Sequence, residues 1–444
     1  MYSLLIVCIF TSDLWKSDLN SARLEIFSSF SGYLLFGKIH IYHLFSGLML
    51  FLYFYMKSIH PRENNAQSDK NFLKTIFWLY FIPVNILQYV SGYINNITIR
   101  NYGIYSIGYF LIYLVVVYYV QDIFFKDEHA KILNTSITSL EFIILLRAFY
   151  SIIKYALGIG PINPIIGGIR LGKENDFADF FCLLFIIAFT RLLFRTDKNI
   201  SLKILHIAGI ITALFIAIFS YRRYFIIEIL IASIIIIYLY YHKNKNNISI
   251  IFISGTFLII SFVLSLILFI GSDRFFNNFY IGRLISGLSL ISDSFESNYG
   301  DETGHRAEIE DGWNNVKKNW ILGITSFGND KVVRIKTIAW QKGSFVHNGY
   351  LQIWLIYGFL GFILFIYLYL KSLVLGYSIF FKLKNETGLI LIAFITCQLF
   401  KNIVWPTAIY SINVTIVYIF LISILIKMKK IETIKQQRAS VCVI

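Results

Sequence analysis

Apolar runs of about 20 residues recur along most of this chain, separated by short gaps that carry much of its Lys and Arg. Such runs leave few folds open. A helix of that length crosses the hydrocarbon core of a bilayer with every backbone N–H and C=O satisfied inside the segment. An ordinary soluble core cannot absorb them: 57% of the 444 residues are hydrophobic and only 15% are charged. Soluble domains are nearer about 45–50% apolar and about 25% charged. The expected class is an all-α, polytopic integral membrane protein.

Up to twelve segments are read: 1–10, one within 30–56, then 72–90, 104–125, 132–157, 177–194, 201–219, 224–241, 249–270, 348–370, 387–400 and 403–426. Ten helical residues rise only about 15 Å, so the first segment is short for a span. It lacks a basic start and a small-residue cleavage site, so a cleaved signal peptide is not expected. The layout is an N-terminal bundle over 1–270, a polar loop over 271–347, and C-terminal helices with a basic tail over 348–444.

Alternate gaps set the orientation. One set holds Lys57, Arg62, Lys70 and Lys74, then Lys126 and Lys131, then Arg191, Arg195, Lys198 and Lys203. It continues through Lys243 and Lys245, then Lys371, Lys382 and Lys384, to the tail with Lys427, Lys429, Lys430, Lys435 and Arg438. That set has 20 basic residues against about nine in the opposite short gaps, so it is expected to face the cytoplasm. Both termini are then cytoplasmic, and the 271–347 loop is extracytoplasmic. The net charge of +15 reflects this sorting. No basic stripe or zinc spacing points to nucleic acid. Cys8, Cys182, Cys397 and Cys442 frame no disulfide scaffold.

The loop carries nine Lys/Arg and nine Asp/Glu, so it is not a polybasic arm. Within it, Ile309, Trp313, Val316 and Trp320 recur at helical spacing, with Glu308, Glu310, Asp311, Lys317 and Lys318 elsewhere on the wheel. This pattern predicts an amphipathic helix along the outer leaflet. Arg306 lies seven residues before Trp313 on the same face, where a cation calls for an anion.

Ser220-Tyr221-Arg222-Arg223 joins two apolar segments with almost no loop. Two arginines at an outer turn run against the positive-inside trend. They read as a clamp on phosphate oxygens, matched to the guanidinium fork, or as snorkelling arginines at a helix end. His347-Asn348-Gly349-Tyr350 opens the tenth segment. A helix N-terminus pointing outward there offers N–H groups and a positive dipole end to a phosphate, and keeps His347 neutral and able to accept a proton. The plainer alternative is an interfacial histidine bonded to the loop. Asn348, Tyr350 and, in the glycine-rich outer loop, Arg170 are accessory candidates, with Lys173 beside them. Gly358-Phe359-Leu360-Gly361 reads as close helix packing, and the glycines around Gly158 and Gly167 as a gating loop. Glu141 and Arg147 sit inside a segment, six apart, so they do not face each other well; intramembrane charge is a functional suspect, and packing into the bundle interior is the equal alternative. His40 and His43 read as packed polar residues. No Asp-x-Asp pair occurs, so the usual metal anchor for a sugar nucleotide is missing.

At three blocks the chain resembles the O-antigen ligase and O-antigen polymerase superfamily of bacterial membrane glycosyltransferases. They are the Ser220–Arg223 turn, the stretch Gly304-His305-Arg306 through Trp313 to Leu322-Gly323, and Val346-His347-Asn348-Gly349-Tyr350-Leu351 with Gly358 and Gly361. The similar region covers about residues 205–365. The resemblance implies a multi-pass protein of the bacterial inner membrane with an extracytoplasmic active site. Its donor would be a glycan on undecaprenyl diphosphate, used without metal or nucleotide cofactor. Arg222 or Arg223 and Arg306 would hold the diphosphate, and His347 would be the base. The doubled arginine departs from the family pattern, which leaves two candidates for one position.

The reading is an inverting glycosyltransferase of surface-polysaccharide (O-antigen, capsule or lipopolysaccharide) assembly, and a repeat-unit polymerase in particular. The alternatives are a ligase that transfers glycan to a lipid A core, and a flippase or transporter of lipid-linked glycan. A flippase predicts inverted repeats and charges deep in the bundle. Other polysaccharide-assembly proteins are expected partners. Asp13, Asp18 and Glu25 in the first outer loop are rival bases.

Overall fold

The computed structural model describes residues 129–158, 175–194, 199–220, 223–243 and 348–403 as continuous stretches, with short runs or single positions elsewhere. These residues are overwhelmingly helical. In chain order the helices are α1 (His129–Ala156), α2 (Asn175–Phe194), α3 (Ile200–Phe219), α4 (Arg223–Lys243), α5 (Gly349–Tyr377) and α6 (Glu386–Lys401). A π-helical turn, Ser378–Lys382, carries α5 onward. Each matches an expected segment. The segments expected at 1–10, 72–90, 104–125, 249–270 and 403–426 lie almost wholly outside the described residues.

One stretch departs from the helical expectation. Tyr33–Leu35 (β1) pairs antiparallel with Ile39–His40 (β2). Aromatic and branched residues between Gly32 and Gly37 suit a tight strand pair better than a helix. His43 lies outside the described residues.

Among the described residues, four stretches are long and apolar enough to cross a membrane: Asn134–Ala156, Ile200–Ala217, Tyr224–Lys243 and Gly358–Lys382. Their surface pattern says the same. On α3 the exposed residues Ile200, Ile204, Ile207 and Ile211 form a stripe at helical spacing. Phe142, Leu146, Phe149 and Ile153 do so on α1, Leu230, Ile234 and Tyr238 on α4, and Ile363, Tyr367, Leu370 and Val374 on α5. A soluble helix turns its apolar stripe inward. Here apolar stripes face out, as hydrocarbon solvent allows. The inward faces carry the polar groups, such as His206 on α3 and Glu141 on α1.

Helix α2 is the axis of this arrangement. Phe180 through Phe189 are buried without a break, which fits a helix apolar all round. It packs against α1, α3, α4 and α6, and α6 in turn packs against α4 and α5. Helices α1 and α3 end at one end of the bundle, and α2, α4 and α5 at the other. Tyr155 meets Phe219 where α1 and α3 end, while at the far end Lys243 sits over the rings of Phe194 and Phe380.

The tenth expected segment is not one straight span. Gly358 has φ 70 and ψ −175, a backbone conformation inside α5 that L side chains rarely adopt. The chain folds back there. The rings of Tyr350 and Phe365 are 6.4 Å apart, where fifteen residues of continuous helix would separate them by about 22 Å. Trp354 stacks on Phe362 at 5.2 Å, and both pairs are nearly symmetric about Gly358. The glycine expected to serve close packing is instead a bend that sends 349–357 back along the span it precedes.

The expected amphipathic helix is helical at each described position from Ile309 to Lys318. Val316 is 2% exposed and packs with Leu351 and Leu355 of α5. Trp313 and Trp320 remain 43% and 50% exposed, although Trp313 meets Trp354 edge-on and Trp320 meets Phe359. The Trp320 carbonyl accepts from Trp354 Nε1 at 3.0 Å and from the Phe359 N–H at 2.8 Å. The apolar stripe is thus divided: Val316 faces protein, and the tryptophans bridge protein and surroundings.

Candidate active site

The start of α5 is fastened to the end of α6. Asn348 is its N-cap, with φ −125 and ψ 113, and its Oδ1 accepts from the Leu351 N–H at 2.9 Å. Its Nδ2 donates to the Ile403 carbonyl at 3.1 Å. The Gly349 N–H donates to the Asn402 carbonyl at 2.6 Å, and the Tyr350 hydroxyl to the Leu399 carbonyl at 2.6 Å. Of the first helical amides, those of Gly349 and Leu351 are therefore already bonded. The joint between the start of α5 and the end of α6 is thus closely laced by hydrogen bonds. The fold-back at Gly358 also sets this joint beside Phe365, inside the bundle, instead of at the rim of a straight span. Asn348 and Tyr350 serve that joint. His347, which directly precedes the cap, lies outside the described residues.

The arginine turn is anchored from both sides. α3 ends at Phe219, and Ser220 is buried with its N–H bonded to the Ile216 carbonyl at 2.8 Å and its hydroxyl to the Ala217 carbonyl at 3.2 Å. Arg222 lies outside the described residues. Arg223 opens α4, but its side chain is not described. The next residue, Tyr224, has its ring 5.0 Å from Lys401 Nζ. Lys401 immediately precedes Asn402, the residue that holds Gly349. The turn and the start of α5 are thus brought to one end of the bundle through Tyr224, Lys401 and Asn402. Arg306, Arg170 and Lys173 lie outside the described residues, as do Asp13, Asp18 and Glu25. Leu171, next to Arg170, is buried in the main core. Gly158, with φ 72, ends α1 at the start of the glycine-rich loop.

Two buried charge clusters lie among the described residues; of their members, sequence reasoning singled out Glu141 alone as an interior charge. At the site end, Asp179 Oδ2 lies 2.5 Å from Lys401 Nζ, and Asp179 Oδ1 accepts from Gln398 Nε2 at 2.7 Å. Glu228, one turn beyond Tyr224, is fully buried near both charges. Toward the other end of α2, Arg191 donates to Glu141 Oε2 at 3.3 Å and to Thr138 Oγ1 at 2.7 Å. His206 Nδ1 lies 2.7 Å from Glu141 Oε1. The charge pattern places Arg191 in a cytoplasmic gap; it is instead an interior charge, 1% exposed, and removing it leaves the gap asymmetry intact. Arg147 donates to Ser151 Oγ at 2.6 Å. The signal for both clusters is present in the sequence: Asp179, Glu228 and Arg191 are charges in apolar runs.

Residues 208–366 match the family model described as O-Antigen ligase. The matched stretch runs from within α3, through the arginine turn and α4, to α5 eight residues beyond Gly358. No curated protein matches the chain.

Proposed function

We propose that this chain, which belongs through residues 208–366 to the O-antigen ligase and polymerase superfamily of membrane glycosyltransferases, polymerises lipid-linked glycan repeat units. The donor is a glycan on undecaprenyl diphosphate, and the acceptor is a hydroxyl of a second lipid-linked glycan. The protein lies in the bacterial inner membrane with the Ser220–Arg223 turn and the start of α5 facing outward and both termini cytoplasmic. The observation that carries this reading is the convergence at one bundle end of the residues flanking the arginine turn and those flanking His347, through Tyr224, Lys401, Asn402 and Gly349.

In this mechanism His347 takes the proton of the acceptor hydroxyl. The oxygen attacks the anomeric carbon from the face opposite the diphosphate, the bond from that carbon to the diphosphate oxygen breaks, and the anomeric configuration inverts. Undecaprenyl diphosphate leaves with its growing charge held by Arg306 and by Arg222 or Arg223. Fixed donors aimed at developing charge contribute a few kcal/mol, and a positioned base about 10²–10⁴ in rate. No metal is required, because guanidinium groups supply the countercharge.

Purified protein in proteoliposomes with lipid-linked repeat unit tests the reading. A ladder of lengthening products is expected from wild type. His347→Ala is expected to fold and bind donor but transfer about 10²–10⁴ more slowly. His347→Gln keeps a hydrogen bond without a base, so near-normal turnover in that variant would end the base assignment. Transfer to lipid A core in place of a ladder would make the enzyme a ligase. Translocation of donor without transfer would make it a transporter.

A further inference from the structure

Lys401 and Asp179 form an ion pair with both side chains at 0% exposure, deep among helices that present apolar stripes to their surroundings. Such a pair is poor evidence of stabilisation. Desolvating two charges offsets much of their attraction, and apolar residues of similar volume often pack as well. What an apolar pair cannot supply is direction. A hydrogen-bonded ammonium fixes distances and angles among the elements it joins.

The elements joined here are those that bear the site. Asp179 belongs to α2, and its second oxygen is held by Gln398, one turn before Lys401 on α6. The Lys401 ammonium also sits over Tyr224, the residue after Arg223 on α4. Asn402, the residue after Lys401, bonds the Gly349 amide of α5. Asp179, Gln398, Lys401 and Asn402 all fall outside the stretch that matches the family model, while Tyr224 and Gly349 fall within it. The proposed transfer residues lie in one part of the chain, and the polar group that joins their two anchor points is contributed by another.

We propose that the Asp179–Lys401 pair is a positioning brace for glycan transfer, holding the arginine turn and the start of α5 in register. This rests on the transfer reading above. Lys401 and Asp179 are positioning residues. They act through Tyr224 and Asn402. Glu228 is the internal control. It shares the buried cluster, sits on α4 one turn from Tyr224, and both its carboxyl oxygens lack a hydrogen-bond partner among the described residues. Exchanging its carboxyl for an amide therefore breaks no directional contact.

The test uses the full-length protein in proteoliposomes, comparing kcat and the KM for lipid-linked donor. The doubly apolar variant Asp179→Leu, Lys401→Met is expected to accumulate and unfold like wild type. Its kcat is expected to fall about 10- to 100-fold, the scale of a small misplacement of reacting groups, with KM little changed. Glu228→Gln is expected to keep wild-type kcat. The swapped pair Asp179→Lys, Lys401→Asp is expected to recover part of the lost kcat. Wild-type kcat in the apolar variant overturns the brace, as does a loss in Glu228→Gln equal to that in Asp179→Asn, which would mark any disturbance of the buried cluster as the cause. Should the apolar variant not accumulate, Asp179→Asn alone carries the test: reduced kcat at constant KM supports the brace, and unchanged kcat overturns it. Failure of the transfer reading looks different, because the wild-type protein would then form no transfer product whatever the pair does.

Discussion

Gly349 donates its N–H to the carbonyl of Asn402, and the Asn402 side chain fills the space that a Cβ on residue 349 needs. The helix expected to begin with an open N-terminus begins as a glycine pressed against another helix end. Gly349→Ala is expected to destabilise the protein by about 1–3 kcal/mol through overpacking, and to lower transfer. Adding Asn402→Ala makes room and is expected to recover part of the stability. Thermal unfolding in detergent, run beside a transfer assay, measures both. A Gly349→Ala variant as stable and active as wild type would show that the contact yields freely.

The fold-back at Gly358 makes a distance prediction. Cysteines placed at Tyr350 and Phe365 are expected to be joined by a short bifunctional reagent, since those rings are 6.4 Å apart. A straight helix would hold them about 22 Å apart and give no product. Gly358→Val is expected to weaken the cross-link and cost about 1–3 kcal/mol, because a branched residue is strained at that φ.

At the other cluster, Glu141 accepts from Arg191 and contacts His206 inside the bundle. Glu141→Ala leaves the Arg191 charge without that carboxylate and is expected to destabilise by about 3–5 kcal/mol. Glu141→Gln retains an acceptor and is expected to do less harm. Equal unfolding midpoints for Glu141→Ala and wild type would contradict the interior placement of Arg191.

The arginines are expected to act through geometry as well as charge. Arg306→Lys keeps the cation but loses the bidentate fork, and is expected to lose most transfer activity. The double variant Arg222→Ala, Arg223→Ala is expected to lose donor binding. Full activity in that double variant rules out the clamp at the turn.

Chelator is expected to leave transfer intact, since the sequence carries no Asp-x-Asp pair and in the proposed mechanism guanidinium groups would balance the leaving diphosphate. Loss of activity with chelator, restored by a divalent ion, would assign the charge stabilisation to a metal.

The class of fold was written in the sequence. Apolar runs such as 201–219 and 224–241 state their own length and type, because bilayer thickness and the 1.5 Å rise act on local composition alone. The resemblance that the O-antigen ligase family model finds over residues 208–366 was legible for a similar reason: each of the blocks around Arg222, Arg306 and His347 is contiguous in the chain. Where a run turns back was not legible. Gly358 sits in an unbroken apolar stretch, and only the meeting of Tyr350 with Phe365 reveals the bend. Val316 was readable as one apolar position among four, but its choice of Leu351 and Leu355 over the surroundings was not.

What the sequence determined by itself was what near neighbours set: apolar span lengths, the asymmetry of basic gaps and the residue types fit for phosphate and proton. What tertiary structure alone decided was which distant charges meet. Asp179 and Lys401 are 222 positions apart, and Glu141 and His206 are 65 apart. An intramembrane charge announces that it needs a partner, because leaving it alone in a dry interior is too unfavourable. It carries no local mark of which helix, of several packed around α2, will bring that partner.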